Sequence, residues 1–360
     1  MGTVFESRRA QIISVSGRRL VLFCSNDYLG LSIHPMVLEA AVFAAKRFGC
    51  GTGGAPGTSG TTKLHSQLSE AIARFKHRDR AVIFSSGFSA NVAIHQALEG
   101  DDTIFFCDKS HHPSANDGIK LSGCPRRLFD HRDLDSLEDL LKTEKHSRKI
   151  VTLPSVFTLD GSITPLDGLA ALKKRYDFML ILDEAHATGC VGATGRGLEE
   201  MYSLTGVADF IMGTFSKALG SQGGFLTFSN AAAKLLARPF KPFIYSTSLS
   251  AMSVAASLQA LELLIAEPEM VGQMRHNITS IYNQLSQTGF SLNCRGSHII
   301  NAYFPSREKT TQVIEEVRRL GYFVVDIHIA ELVGIRITAM ATHTQEEIDG
   351  FCRALKDVAG

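Results

Sequence analysis

The sequence contains no run of about 18 consecutive apolar residues, so no segment is long enough to cross a membrane as a helix. Its first residues contain no apolar core of a secretory signal. Net charge is also small, because 37 basic residues offset 36 acidic ones. That balance argues against nucleic acid or a membrane surface as a partner. We therefore expect a globular protein that binds neither.

The seven cysteines form no C-x-x-C pair and show no spacing typical of metal ligands. We therefore expect no metal site. An odd, dispersed set of cysteines in a chain of 360 residues indicates reduced thiols and a cytoplasmic location.

A missing phosphate loop excludes one interpretation of the middle of the chain. The run Asp183-Glu184-Ala185-His186 spells the box of a helicase. A helicase also needs a G-x-x-x-x-G-K-[ST] loop, and this sequence contains none. The segment Gly51-x-Gly53 follows no clear strand and lacks the dinucleotide-binding pattern.

Short apolar strands alternate with helical patterns through about the first 250 residues. This alternation predicts an α/β fold with a mostly parallel sheet that is covered on both faces. Strands are predicted over residues 20–25, 81–84, 103–106, 149–153, 178–182, 210–212 and 224–228. Helices are predicted over residues 35–48, 64–75, 90–98, 134–141 and 166–175.

The pattern changes after about residue 250 and indicates a smaller α+β domain. Its predicted elements are helices over residues 251–265, 270–287 and 345–358, and strands near 298–304 and 322–326. The chain is long enough for two such units. We predict an N-terminal arm over residues 1–30, a large domain over 31–250 and a small domain over 251–360.

Asp183 follows an apolar strand at the point where that strand ends. A carboxylate that is partly buried there needs a cationic partner to stay ionised, and a protonated pyridine nitrogen would supply one. His186, three residues on, could reach a phenolic oxygen on the same ring. The alternative is an aspartate that caps the turn after its strand.

Lys217 follows a second apolar strand and precedes Gly220, Gly223 and Gly224. Partial burial near a cation lowers the pKa of an amine and makes it a nucleophile. The glycines allow backbone to approach a flat ligand closely. Thr214 offers a hydroxyl to a phosphate. The alternative is an ordinary surface lysine.

Three weaker signals lie on other segments. The run Ser86-Gly87-Phe88 ends a strand and begins a helix, where backbone N–H groups can hold an anion. His112 could stack on a planar ring, or it is a simple loop histidine. Arg336 stands between apolar neighbours and suits a carboxylate ligand, or it forms an internal ion pair. Together these residues match the apparatus that holds pyridoxal phosphate (PLP) as an electron sink.

With these residues assembled, the chain resembles the α-oxoamine synthases, a group of fold-type I PLP enzymes, from about Leu20 to its C-terminus. The combination of motifs is highly specific. The motifs that carry the resemblance are Ser25-Asn26-Asp27-Tyr28-Leu29-Gly30-Leu31, Ser85-Ser86-Gly87-Phe88-Ser89-Ala90-Asn91, Asp183-Glu184-Ala185-His186-Ala187-Thr188-Gly189, Met212-Gly213-Thr214-Phe215-Ser216-Lys217, Phe243-Ile244-Tyr245-Ser246-Thr247-Ser248-Leu249 and Ile335-Arg336-Ile337.

The resemblance implies a role for each matching position. Lys217 would carry PLP as a Schiff base, with Asp183 on the pyridine nitrogen, His186 on the ring oxygen and His112 stacked over the ring. Asn26 and Arg336 would hold the carboxylate of an amino acid. The other implied cofactor residues are Ser86, Gly87, Phe88, Thr158 and Thr214, together with Ser246 and Thr247, which would reach the phosphate of the neighbouring subunit in a homodimer.

The resemblance further implies a decarboxylating condensation between an amino acid and an acyl thioester. The motifs are most like the biotin-synthesis branch, in which L-alanine condenses with a pimeloyl group on coenzyme A or a carrier protein. Open alternatives are branches that use glycine or serine, a signal-molecule synthase with longer acyl chains, and a non-catalytic partner subunit. That subunit type lacks the lysine, so Lys217 argues against it.

The residue that meets the acyl donor has no certain match. The N-terminal arm is short, and Arg8 or Arg9 is the candidate there. The loop from Gly54 to Gly57 lacks the arginine usual in the family, and Pro154 replaces a common acidic residue. These departures leave the PLP chemistry intact and the acyl donor open.

Overall fold

The computed structural model describes residues 3–293 and 296–359, so Cys294 lies outside the described residues. The chain passes through three sheets, and five of its helices connect successive strands of the largest. Its elements are, in order, β1 (Ser7–Arg9), β2 (Ile12–Val15), β3 (Arg18–Leu22), a 3-10 turn (Leu31–Ile33), α1 (Pro35–Phe48), α2 (Lys63–Phe75), β4 (Arg80–Phe84), α3 (Gly87–Ala97), β5 (Thr103–Asp108), α4 (Pro113–Ser122), β6 (Arg126–Phe129), α5 (Leu134–Thr143), β7 (Arg148–Pro154), α6 (Leu166–Tyr176), β8 (Met179–Asp183), α7 (Leu198–Tyr202), β9 (Phe210–Thr214), β10 (Gly224–Phe228), α8 (Asn230–Ala233), α9 (Lys241–Ile244), α10 (Ala251–Ala266), α11 (Glu269–Ser286), β11 (Ser291–Leu292), β12 (Ile299–Phe304), α12 (Arg307–Arg319), β13 (Tyr322–Phe323), β14 (Val325–Ile329), β15 (Leu332–Thr338) and α13 (Gln345–Ala359).

The largest sheet has seven strands in the order β4-β10-β9-β8-β7-β5-β6. All its neighbours pair in parallel except β10, which runs antiparallel to both β4 and β9. The central strands are buried on both faces: Phe105 packs in one hydrophobic cluster and its neighbour Phe106 in another. The prediction of a mostly parallel sheet within an α/β fold is therefore confirmed.

The second sheet is antiparallel, in the order β11-β12-β15-β14, and lies with helices α11, α12 and α13 in the C-terminal part of the chain. Its core includes Ile300 and Ile337 from the sheet and Phe351 from the last helix. Arg336 lies on β15, directly opposite Asn301 of β12. A central strand of this sheet thus carries a candidate site residue.

The third sheet, in the order β1-β2-β3-β13, ties the N-terminal arm to the C-terminal part of the chain. The sequence predicts one strand over residues 322–326, but the structure has two strands there, which belong to different sheets. Tyr322–Phe323 pairs with β3, whereas Val325–Ile329 pairs with β15, and buried Val324 joins the two. The chain changes sheets at that residue.

Helix α10 packs on α1 and α2 over the large sheet, although the sequence assigns its residues to the small domain. Val254, Ala260 and Leu261 belong to the core beside the central strands. The domain limits at residues 30 and 250 stay a prediction. No helix in the described ranges is long and apolar enough to span a bilayer, and those ranges contain no group of three or more side chains placed to hold a metal.

Candidate active site

A pocket lies where the parallel strands of the large sheet end, which is where open α/β sheets bind ligands. Strand β8 contributes its last residue and β9 its last residue, and the first turns of α3 and α4 close the sides. The predicted site residues that line this one pocket are Ser86, Gly87, Phe88, His112, Thr158, Asp183, His186, Thr214 and Lys217.

Asp183 is buried at the end of β8 and is held by two donors. The backbone N–H of Ala185 donates to its Oδ1 at 2.9 Å, and Asn91 Nδ2 donates to its Oδ2 at 2.8 Å. Asn91 in turn donates to Ser114 Oγ at 2.9 Å. Both donors fix the orientation of this carboxyl group, which lines the pocket. Asn91 belongs to one of the motifs that carry the resemblance, but its role beside Asp183 was not predicted from the sequence.

Glu184, the residue after Asp183, takes part in a buried ion pair. Lys76 Nζ contacts Glu184 Oε2, and both side chains are almost fully buried. Glu184 Oε1 also accepts the backbone N–H of Leu198 at 2.7 Å. Burial lowers the pKa of Lys76, while the charge of Glu184 opposes that change. The pair anchors the backbone immediately after the strand, and sequence reasoning did not identify it.

His186 is buried, and its Nδ1 lies 2.7 Å from the hydroxyl of Tyr28. Burial, followed by the charges of Lys217 and Arg336, lowers its pKa well below the usual histidine value. The imidazole is therefore neutral at physiological pH. Its Nε2 is buried without a hydrogen-bond partner among the described residues. A buried polar atom without a partner needs an explanation, and a hydrogen bond to a ligand group in the pocket would supply one.

Arg336 and Asn26 contact each other, as their shared predicted role requires. Arg336 Nη2 donates to Asn26 Oδ1 at 3.0 Å and to the Tyr28 hydroxyl at 3.3 Å, and its Nε donates to the carbonyl of Thr158 at 3.3 Å. In the part of the chain that the structure describes, no carboxylate pairs with this arginine. Among the described residues, Arg336 therefore does not form the internal ion pair that was the alternative to a ligand role. The hydroxyl of Tyr28 contacts both Arg336 and His186.

Lys217 is half-buried in the loop after β9. Burial lowers the pKa of its amine to about 8; the charge of Asp183 opposes this shift, and that of Arg336 adds to it. A substantial fraction of Nζ is thus neutral near pH 8, unlike an exposed lysine. A lysine in this state suits nucleophilic chemistry better than a surface role.

His112 caps the N-terminus of α4, with its Nδ1 2.7 Å from Ser114 Oγ. Burial lowers its pKa, and Lys217 adds to that effect while Asp183 opposes it. The ring meets Phe88 edge to face, with centroids 6.5 Å apart. His112 therefore borders the pocket as a neutral ring with a fixed orientation.

The start of α3, where the sequence predicts an anion cradle, lies beside the pocket. Ser86 caps the helix by accepting the N–H of Ser89 at 3.0 Å. A Cβ on Gly224 would lie 2.5 Å from the carbonyl of Ser86, so only glycine fits beside this turn. Thr214 Oγ1 lies 2.7 Å from Ser216 Oγ, a pocket hydroxyl to which sequence reasoning gave no role.

Ser246 and Thr247 do not line this pocket. They lie in a separate cleft bordered by α2, β4 and the segment after α9. Their predicted reach to the phosphate of a neighbouring subunit concerns a second copy, so it stays a prediction.

The residues present fit PLP. The carboxylate of Asp183 suits a protonated ring nitrogen, the free Nε2 of His186 suits a ring oxygen, and the N-terminus of α3 suits a phosphate. Lys217 supplies an amine of lowered pKa in the same pocket.

Comparison with known proteins gives a consistent result. The profile of the aminotransferase class I and II family matches residues 18–355. A putative 8-amino-7-oxononanoate synthase of Desulforudis audaxviator is 37% identical over 94% of this chain and 89% of its own length. The 8-amino-7-oxononanoate synthase of Pelobacter propionicus is 35% identical over 96% of this chain and 90% of its own.

Solved structures are similar over nearly the whole chain. A serine palmitoyltransferase from S. paucimobilis, solved with PLP and myriocin bound, has a TM-score of 0.95 at 26% identity and covers 99% of this chain and 92% of its own. An 8-amino-7-oxononanoate synthase from Francisella tularensis has a TM-score of 0.81 at 26% identity, over 94% of this chain and 97% of its own.

Proposed function

Since the chain belongs to the aminotransferase class I and II family and, within it, to the PLP-dependent α-oxoamine synthases, we propose that it condenses L-alanine with a pimeloyl thioester. The products are 8-amino-7-oxononanoate, carbon dioxide and the free thiol of the carrier, as a step of biotin synthesis. The observation that carries the proposal is the shared pocket of the Lys217 amine and the Asp183 carboxylate.

PLP, when bound, supplies an electron sink for the bonding pair released at the Cα of the amino acid. We propose that Lys217, Asp183, His186 and His112 hold the coenzyme ring. The residues proposed to complete its site are Ser86, Gly87, Phe88, Thr158 and Thr214, with Ser246 and Thr247 of a second copy in a homodimer.

Each residue then has a defined task. Asp183, held in place by Asn91 and the N–H of Ala185, would face the ring nitrogen and favour its protonated form. Neutral His186 offers Nε2 to the ring oxygen. Lys217, whose amine has a lowered pKa in the same pocket, would take the Cα proton on Nζ as the general base.

Arg336 is proposed to bind the carboxylate of the amino acid. Its guanidinium is buried and preoriented by Asn26 and Tyr28, and neither of these neutralises its charge. A carboxylate would therefore meet a cation that no described residue neutralises, in a site of low dielectric where charge-assisted hydrogen bonds are strong.

A cytoplasmic location belongs to the same proposal. The cysteines in the described ranges are all free, which supports a reducing environment.

Serine with a long acyl thioester is the second candidate, because solved serine palmitoyltransferases have TM-scores of up to 0.96 with this chain. Mass spectrometry of products separates the two. Purified PLP-loaded protein is incubated with alanine, glycine or serine, each with acetyl, pimeloyl, octanoyl or palmitoyl thioesters. We expect a product only, or mainly, from alanine with the pimeloyl donor. A product from serine and palmitoyl thioester would replace the proposal, and no product from any pair would refute it.

Arg336→Met should raise the KM for alanine by about tenfold or more, because a charge-assisted hydrogen bond to the substrate carboxylate is lost. Retained PLP absorbance would show that the pocket survives. Arg353→Met is a matched control, since Arg353 is exposed on α13. An unchanged KM in the Arg336 variant would contradict the assignment. Steady-state kinetics with varied alanine make the measurement.

A further inference from the structure

A second cavity adjoins the pocket and is not part of it. Its walls come from the N-terminal arm, the segment 24–27, helix α12 and the stretch 323–326. Ser216 lines both spaces, and Asn26, the partner of Arg336, lines the second. A molecule in this cavity would therefore reach the site where the amino acid is held.

Arg8 lines this cavity, but its guanidinium already forms an ion pair with Asp27. Its Nη2 donates to Asp27 Oδ2 and to Ser25 Oγ, each at 3.0 Å, and its Nε donates to the carbonyl of Ala10. Asp27 is buried, so this ion pair is held within the protein. Arg9, the other candidate from the sequence, does not line the cavity.

Arg318 is the second cation of the cavity, and its position differs from that of Arg8. Its Nε is buried and finds no hydrogen-bond partner among the residues that the structure describes. The carboxylates of the cavity are engaged with other residues, Asp27 with Arg8 and Asp326 with His328. Arg318 therefore brings a positive charge that the described residues leave without a counterion.

Aromatic and aliphatic side chains form the wall of the cavity beside Arg318, whereas polar side chains such as Ser25, Asn26 and Ser221 line much of the rest. The guanidinium lies over the ring of Phe323, 4.8 Å from its centroid, and Phe5 meets that ring edge to face at 5.5 Å. Leu22 and Ile314 add apolar surface. A cavity with an apolar wall beside a preoriented arginine, and with polar groups elsewhere, suits a ligand that has an acyl chain and an anionic group.

We propose that this cavity binds the acyl donor and that Arg318 binds an anionic group of that donor. The inference rests on the proposed condensation. The shared chemistry is an oxyanion, which is either the free carboxylate at the far end of the acyl chain or a phosphate of coenzyme A. Arg318 then determines which donors are accepted.

Equilibrium binding to the PLP-loaded enzyme tests this site without turnover. Calorimetry would compare wild type, Arg318→Met, Arg318→Lys and the control Arg319→Met, whose exposed side chain pairs with Glu316 on the same helix. The probes are pimelate, the uncharged alcohol octanol and coenzyme A. If the anion is the acyl carboxylate, the affinity for pimelate falls about tenfold or more in Arg318→Met, and the affinity for coenzyme A is unchanged. If the anion is a phosphate, Arg318→Met binds coenzyme A more weakly than wild type does, and its affinity for pimelate is unchanged.

Octanol, which has an alkyl chain but no anionic group, should bind wild type and variants alike, and Arg318→Lys should recover part of the lost affinity. Two results would overturn the assignment: equal affinities of wild type and Arg318→Met for both anionic probes, or no binding of either anion to wild type. Failure of the condensation assay with intact anion binding would instead count against the proposed reaction alone. The two failures are thus distinguishable.

Discussion

Lys217→Ala should lower turnover by about 10⁴-fold or more, because the variant loses both the amine that attaches PLP and the general base at Cα. The pocket should survive, since Asp183, His186 and the start of α3 do not depend on Lys217 for their hydrogen bonds. Product formation by mass spectrometry gives the rate. Borohydride reduction followed by peptide mapping should locate PLP on Lys217 in wild type.

The matched control is Lys234→Ala, which removes an exposed lysine at the end of α8. It should keep wild-type turnover and covalent PLP. Lys217→Arg should behave like the alanine variant although it keeps the positive charge, because a guanidinium does not deprotonate in this range. Substantial turnover in either Lys217 variant would contradict the assigned base.

The lowered pKa of Lys217 has a pH consequence of its own. Only the neutral amine attacks an aldehyde, and the neutral fraction grows as pH rises through about 8. The rate at which PLP-free protein captures PLP should therefore increase from about pH 6 and level off above about pH 9. Stopped-flow absorbance measures it. A midpoint near the ordinary lysine value would show that burial does not act as inferred.

The sequence predicted six of the seven strands of the large sheet, because buried parallel strands are short apolar runs that end in polar residues, but it missed the edge strand β6, of whose four residues only Phe129 is buried. Asp183 and Thr214 each lie at the end of such a strand. Because open α/β sheets bind ligands at the carboxyl ends of their strands, the sequence alone predicted that both residues lie at one site. The direction of β10 did not follow, since an apolar run has the same pattern whether its neighbours are parallel or antiparallel.

The contacts between distant elements were beyond sequence reasoning. Asn91 reaches Asp183, and Tyr28 reaches His186, across separations that no local periodicity encodes. The strand β15 was missed as an element although Arg336 was chosen, because a charge interrupts its apolar pattern. Helix α12, with Arg318, was missed for a similar reason, since only Thr310, Val313 and Val317 of its residues are buried.

Asp183→Asn should lower turnover by roughly 10²–10³-fold while the fold persists, because an amide of nearly equal shape replaces the charge that holds a proton on the ring nitrogen. Asn91 Nδ2 and the N–H of Ala185 would then face a neutral side chain. Without the carboxylate, the ring loses its ionic partner and becomes a weaker electron sink. PLP affinity should fall as well, and equilibrium dialysis measures that loss beside the kinetic one.

Asp177→Asn is the matched control, since this exposed aspartate ends α6 just before the same strand, at a left-handed position that asparagine also adopts. It should leave both turnover and PLP affinity unchanged. A coenzyme analogue whose ring carries a permanent positive charge at the nitrogen separates two explanations for the Asp183 effect. If the carboxylate acts by keeping the ring cationic, the analogue should restore much of the lost rate in Asp183→Asn. If the analogue restores nothing, Asp183 acts through the packing of Asn91 and Ser114 instead, and the electrostatic role fails.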